Sequence, residues 1–330
     1  MSSILPEAAR TALRAKPTES LGTYPTPIDA MPRFRTILGL AQRILVKRDD
    51  AISFGFGGNK VRKLRYVLAA ARAAGADALI TCGGLQSNHA RATAAAAAAL
   101  GFRCHIVTNA AKPERYTANA LLNHLLGATV EYVKGREDRI PGMERAAERL
   151  RHEGRTPYIV PLGASTPVGA LGYAAAVEEM LDQMEEAPDV IVLASSSGGT
   201  LAGLHAGLAL NGLSTRIIGI SADDPPAAVE ASVRGILAGM GELLGIDGAE
   251  LARDAALEVD DSFVGPGYGL ATEASIDAQQ AAATTEAVFV DHTYTAKALA
   301  ALIEYCKDGR IAHDATVLFW HTGGQVGLFA

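Results

Sequence analysis

Val190-Ile191-Val192-Leu193-Ala194, running directly into Ser195-Ser196-Ser197-Gly198-Gly199-Thr200, is the stretch on which the fold turns. The first five residues are apolar throughout and lack the polar face of a half-exposed strand. They suit a parallel strand covered on both sides. The serines and glycines break the run, and Thr200 to Leu210 then reads as a helix. Strand, small-residue turn and helix together make one βα unit.

The same alternation recurs outward from this unit. Strands are predicted at Arg43 to Lys47, Ala78 to Cys82, Arg103 to Thr108, Ala128 to Val133, Tyr158 to Val160, Arg216 to Ile220 and Thr316 to Trp320. Helices are predicted at Asn59 to Ala74, Asn88 to Leu100, Arg115 to Leu126, Gly142 to His152, Gly169 to Met184 and Ala227 to Leu244. Pro161-Leu162-Gly163 is a turn-like break between two series of units. Repeated βα units predict an α/β fold: two domains with mainly parallel twisted sheets flanked by helices. Facing domains of this kind place a site in the cleft, at the carboxyl ends of the strands.

Composition narrows the function classes. The chain of 330 residues is long enough for two cores, with 49% hydrophobic and 20% charged residues, a soluble globular balance. A formal net charge of −6, with no basic stripe, argues against a nucleic-acid partner. Cys82, Cys104 and Cys306 form no CxxC pair and no zinc pattern, so no metal is expected; an odd number of cysteines suits reduced thiols and a cytoplasmic location. No apolar run is long enough to span a bilayer, and the alanine-rich Ala92 to Leu100 is too short. The first twenty residues mix Arg10 and Arg14 with Glu7 and Glu19, lack the apolar core of a signal peptide, and read as a surface helix.

Four clusters carry candidate chemistry. In Gly55-Phe56-Gly57-Gly58-Asn59-Lys60, the glycines allow close approach of a ligand. Asn59 is a candidate helix N-cap, which puts Lys60 in the first turn. A lysine at the positive end of a helix is electrostatically disfavoured as a cation, so its neutral amine is favoured. The plain alternative is a solvated lysine, and no Walker pattern is present. Ser195 to Thr200 offers backbone N–H groups and hydroxyls at a helix start, suited to one phosphomonoester or simply to capping. Gln86-Ser87-Asn88-His89 follows a strand and could meet a carboxylate, unless Ser87 or Asn88 only caps the next helix. Toward the C-terminus lie Gly267-Tyr268-Gly269, Tyr294-Thr295 and His321-Thr322-Gly323-Gly324.

In this order the motifs GGNKVRKL, QSNHARATA, GALGY, the Ser/Gly-Thr loop, GYG, YTAK and HTGG resemble one family, that of D-cysteine desulfhydrase and 1-aminocyclopropane-1-carboxylate deaminase. That family belongs to the tryptophan-synthase-β-like class of pyridoxal-phosphate enzymes, and the resemblance runs from about Tyr24 to the end. It implies a pyridoxal 5'-phosphate cofactor held by Lys60 as a Schiff base, with Asn59 and Asn88 beside it. Ser197, Gly198, Gly199 and Thr200 match the phosphate loop, and Thr295 and Thr322 the surroundings of the ring nitrogen. Ser87 matches a substrate-contacting serine, flanked by Gln86 and His89, and Tyr268 and Tyr294 match two active-site tyrosines. The resemblance further implies a larger cofactor-binding domain at 1–55 and 168–330, a smaller α/β domain at 56–167, and a homodimer.

The expected reaction is α,β-elimination from a small β-substituted amino acid, with D-cysteine giving pyruvate, hydrogen sulfide and ammonia. Rival readings are elimination from another substrate such as cysteate, cyclopropane ring opening, and a non-catalytic binding module. An NAD-dependent enzyme is disfavoured because no GxGxxG follows an early strand. Departures from the family pattern fall at Leu270-Ala271-Thr272-Glu273, at Asp291-His292-Thr293 and after Gly324. Ring-opening members carry a glutamate where this chain has Thr295.

Overall fold

The apolar run at 190–194 is a strand inside a six-stranded sheet in the computed structural model, which describes residues 7–330. In chain order the elements are α1 (Glu7–Arg14), β1 (Ile28–Ala30), α2 (Pro32–Leu38), β2 (Arg43–Arg48), α3 (Asn59–Ala73), β3 (Ala78–Gly83), α4 (Asn88–Leu100), β4 (Arg103–Thr108), α5 (Ala118–Leu125), β5 (Thr129–Tyr132), α6 (Arg139–His152), β6 (Pro157–Ile159), α7 (Pro167–Leu181), β7 (Val190–Ser195), α8 (Gly199–Leu210), β8 (Arg216–Ser221), α9 (Pro226–Leu244), α10 (Gly248–Asp254), β9 (Val259–Asp260), α11 (Glu273–Glu286), α12 (Thr295–Lys307) and β10 (Thr316–His321).

The larger sheet has the order β1-β2-β10-β7-β8-β9, and only the β1–β2 pair is antiparallel. Val192 on β7 stands between Phe319 of β10 and Ile218 of β8. One face of this sheet packs with α7, α8 and α9 through Ile191, Leu193 and Trp320. The other packs with α2, α11 and α12 through Val190, Val192 and Phe319. Burial on both faces is why β7 shows no polar alternation. The second sheet, β5-β4-β3-β6, is wholly parallel. It packs with α3 and α4 on one face and with α6 on the other. This is the α/β architecture that the alternation of elements predicts.

Boundaries differ in places. The helices expected from Arg115 and Gly142 begin at Ala118 and Arg139, and the one expected to reach Met184 stops at Leu181. Six elements escaped the pattern: β1, α2, α10, β9, α11 and α12. The N-terminal helix is more than a surface feature, because Ala9 and Leu13 are buried in the core shared by α7, α8 and α9. Residues 1–6 of that expected segment lie outside the described residues. Among the described residues no helix is long and apolar enough to cross a membrane.

A buried ionic cluster locks α3 onto the larger sheet. Asp49, at the end of β2, accepts from Arg62 Nε at 2.8 Å, Tyr173 Oη at 2.5 Å and Trp320 Nε1 at 2.8 Å. Glu179 on α7 accepts from Arg62 Nη1 at 2.8 Å and Lys47 Nζ at 2.7 Å. Close packing supports the same joint, since a Cβ on Gly172 would lie 2.4 Å from the carbonyl oxygen of Arg62. The first turn of α3 is thereby fixed over the carboxyl ends of β2, β10 and β7.

Candidate active site

A cavity of about 330 Å³ opens at those carboxyl ends, between the two sheets. The glycine turn before α3 sets the helix start whose Asn59 and Lys60 line it. Gly57 has φ of 63° and leaves no room for a side chain, since a Cβ would lie 2.4 Å from the carbonyl oxygen of Asp50. Gly58, at φ 97°, is the N-cap of α3, so the expected capping role of Asn59 is corrected. Asn59 is instead the first helical residue. Its backbone N–H donates to the carbonyl of Thr322 at 2.9 Å, and its side-chain amide donates to Thr200 Oγ1 at 3.0 Å. This one residue ties the lysine turn to both the β7 and the β10 exits.

Lys60 follows and lines the cavity. Its amine is pushed down to about 8, chiefly by burial; the nearby Arg91 charge adds to this, and a hydrogen bond with Lys63 works against it. The direction agrees with the sequence reading, but burial rather than the helix end is the principal cause. Lys63, one turn on, is held well below the usual lysine range by burial and by the Lys60 charge. Its Nζ donates to Ser165 Oγ at 3.2 Å.

The Ser195–Thr200 loop forms the facing wall. Gly198 adopts the left-handed conformation at φ 79°, and α8 begins at the next residue. The Gly199 N–H donates to Ser165 Oγ at 3.2 Å, and Ser165 and Ser197 share a hydrogen bond at 2.8 Å. The start of α8 therefore presents amides and hydroxyls to the cavity with no acidic residue in the loop. That donor set fits a phosphate monoester. The lowered amine of Lys60, which lines the cavity, fits the aldehyde end of the same ligand. The residues present thus suit pyridoxal phosphate.

The second loop stands at the exit of β3. Ser87 is the N-cap of α4 and accepts from the Ala90 N–H at 3.2 Å, so the capping alternative holds, yet the same side chain lines the cavity. Asn88 Oδ1 accepts from Asn119 Nδ2 at 3.0 Å, which leaves its NH₂ group for a ligand. Gln86 does not line the cavity; its side chain staples the loop to Thr117 and to the Asn119 N–H. His89 is buried and held well below its ordinary range, first by burial and then by Lys60 and Lys63, so its ring is neutral. Thr81 Oγ1 donates to the carbonyl of Val160 at 2.8 Å and so accepts from His89 Nε2 at 2.7 Å. That network assigns the proton to Nε2.

Tyr268 and Tyr294 meet hydroxyl to hydroxyl, with ring centres 5.7 Å apart at 76°. Burial is the main reason both phenols are raised above their ordinary range, so both stay neutral. Thr322 lines the cavity, but Thr295 does not. The Thr295 hydroxyl is fully buried and donates to Asp291 Oδ1 at 2.7 Å.

Five charged residues line the cavity without having been assigned a role from sequence: Lys63, Arg136, Arg139, Asp223 and Asp224. Arg136 Nη1 reaches Asp223 Oδ2 at 2.6 Å, bridging the two sides of the cleft, and its guanidinium lies 5.5 Å from the Tyr268 ring centre. Lys63 had a signal, being three residues beyond Lys60 on the same helix face. The aspartates follow β8, the strand beside β7, where ligand-binding loops are expected. Nothing local marks Arg136.

A family model described as pyridoxal-phosphate dependent enzyme matches residues 19–323. The chain belongs to this family. Its members use pyridoxal phosphate, as the lysine turn and the helix-start loop suggest. A solved structure described as an ACC deaminase homologue is 33% identical, with a TM-score of 0.88, covering 98% of this chain and 97% of that one. The processed form of threonine deaminase isoform 2 from Solanum lycopersicum is 16% identical, with a TM-score of 0.69, over 96% of this chain and 83% of that one. Maize serine racemase is 19% identical, with a TM-score of 0.67, over 98% and 95%. The last two show the fold alone, which is the tryptophan-synthase-β-like one.

Proposed function

We propose that this enzyme catalyses α,β-elimination from a small β-substituted amino acid, with D-cysteine as the substrate tested first and pyruvate, hydrogen sulfide and ammonia as products. The observation that carries the reading is Lys60, a half-buried lysine whose amine is lowered to about 8, facing the Ser195–Thr200 loop across one cavity. When bound, pyridoxal phosphate supplies an electron sink for the bond broken at the α-carbon. Lys60 holds the cofactor covalently and its Nζ takes the α-proton. The Ser195–Thr200 loop binds phosphate, with Asn59 fixing Thr200. The Ser87 hydroxyl and the Asn88 NH₂ group receive the substrate carboxylate, in a loop that Gln86 holds in place. The neutral phenols of Tyr268 and Tyr294 are proton donors for the departing group.

Thr295 favours elimination over cyclopropane ring opening. Its neutral hydroxyl, engaged with Asp291, cannot do what a carboxylate would do at the cofactor's ring nitrogen, which is to keep that nitrogen protonated. Expelling a thiolate beside an acidic α-carbon asks less of the sink than opening a ring that has no α-proton. Ring opening is the second reading, and the 33% identity to a structure described as an ACC deaminase homologue favours it. Keto-acid release from D-cysteine, L-cysteate and 1-aminocyclopropane-1-carboxylate, measured with saturating cofactor, separates the two. Turnover of D-cysteine with little or none of the cyclopropane substrate is expected. Equal turnover of both would defeat the argument from Thr295, and turnover of cysteate alone would change the substrate while leaving the reaction class.

A further inference from the structure

The smaller sheet holds a second cavity of about 150 Å³, between the ends of β4 and β5 and helix α5. It is separate from the Lys60 cavity, and Gly84 borders both. Two polar side chains in its wall are buried with nothing to bond. Thr108 is 2% exposed and Asn123 is 5% exposed. Neither Thr108 Oγ1 nor Asn123 Oδ1 has a hydrogen-bond partner. A buried hydroxyl and a buried amide oxygen left unpaired are costly, so native proteins rarely keep two in one cavity wall without an occupant. The space exceeds that of one ordered water, whose share of liquid volume is about 30 Å³.

The rest of the lining indicates what would fit. No aspartate or glutamate touches the cavity, and the exposed Lys112 supplies a cation. Tyr116 and Tyr132 also line it; burial and a hydrogen bond with Tyr116 push the Tyr132 phenol up to about 12, so it stays neutral and the pair offers one O–H to a ligand. A cation, a phenol and a hydroxyl favour a carboxylate, and the Asn123 carbonyl oxygen asks for a ligand N–H or the Asn123 amide offers one.

We propose that this cavity is a second binding site, for a small carboxylic acid the size of alanine or pyruvate. The carboxylate meets Lys112 and Tyr132, and the α-substituent meets Thr108 and Asn123. An amino acid presents an ammonium donor to Asn123 Oδ1, whereas a keto acid accepts from the Asn123 NH₂ group and the Thr108 hydroxyl. The site lies at strand carboxyl ends, where α/β sheets take ligands. It does not depend on which reaction the Lys60 cavity performs.

The test is equilibrium dialysis of the cofactor-loaded enzyme with D-alanine and, separately, with pyruvate, alongside a visible-absorbance titration that reads the Lys60 cavity alone. The expected result is one bound equivalent of one of these probes beyond what the absorbance reports. Thr108→Val, Asn123→Leu and Lys112→Met should each weaken that silent equivalent at least ten-fold and leave the absorbance titration in place. Because Lys112 is exposed, its variant tests the site even if a core change misfolds. Absence of a silent equivalent for both probes, or its persistence unchanged in the Lys112 variant and in whichever core variant folds, would overturn the proposal.

Discussion

At the residue scale the proposed chemistry rests on one amine in an unfavourable setting for its charge. Burial, with Arg91 nearby, lowers Lys60 to about 8, against about 10.4 for an exposed lysine. At pH 7 the neutral form is then about a tenth of the amine, against well under a thousandth for an ordinary lysine. Competitive labelling of amines in the cofactor-free protein should find Lys60 reacting with a midpoint near pH 8, more than two units below the ordinary lysine value of about 10.4. A midpoint in the ordinary lysine range would remove the argument from burial. The turn was legible in the sequence, where three glycines and an asparagine precede a helical lysine, but those residues also suit a plain helix start, and the role proposed for Lys60 came from the family resemblance. Its neighbour Arg136 was not legible. That side chain meets Asp223 and Tyr268 only after the chain has crossed the cleft, and no local pattern encodes such a meeting.

At the element scale, strand exits and helix starts do the positioning. Three exits, those of β3, β7 and β10, bring Ser87, Ser197 and Thr322 to one cavity. The strands could be read from sequence because burial on both faces makes them continuously apolar. Helix α12 could not, since it is buried on nearly every side and shows no polar stripe to mark its period. Strands β1 and β9, at three and two residues, are too short to show any period. The start of α8 is the most exacting element. Gly198→Asp should lower cofactor affinity at least ten-fold, because a carboxylate there repels a phosphate. Gly198→Asn, with the same shape and no charge, should lose far less; both variants carry the same strain at φ 79° and the same tight contact with Val233, so the difference between them isolates the charge. Equilibrium dialysis with pyridoxal phosphate decides this; equal affinity in the two variants would place the phosphate elsewhere.

At the scale of the whole molecule, the buried cluster of Lys47, Asp49, Arg62 and Glu179 joins the lysine helix to the larger sheet. Breaking one partner of such a buried set leaves an uncompensated charge and costs about 3–5 kcal/mol. Although burial alone would raise it, Glu179 is lowered to about 2 by its bonds to Arg62 and Lys47. A carboxyl lowered in the folded state stabilises above its unfolded pKa, and that stability is lost as the pH falls toward the folded value. Denaturant unfolding of the parent and of Glu179→Gln should therefore differ by a constant amount above about pH 5. The difference should shrink as the pH falls from there toward 2. A difference independent of pH would show that Glu179 acts through packing alone.

The central claim is that the two sheets place Lys60, rather than any other lysine, where it holds the cofactor. Its neighbour Lys63 lies in the same cavity, is more deeply buried and is depressed further, which makes it the real competitor. The direct measurement is borohydride reduction of the cofactor-loaded enzyme, followed by digestion and mass spectrometry of the 59–63 region. The account predicts the cofactor mass on Lys60, a visible absorbance band that disappears on reduction, and loss of both in Lys60→Ala. Cofactor mass on Lys63, or a visible band that survives in Lys60→Ala, would contradict it.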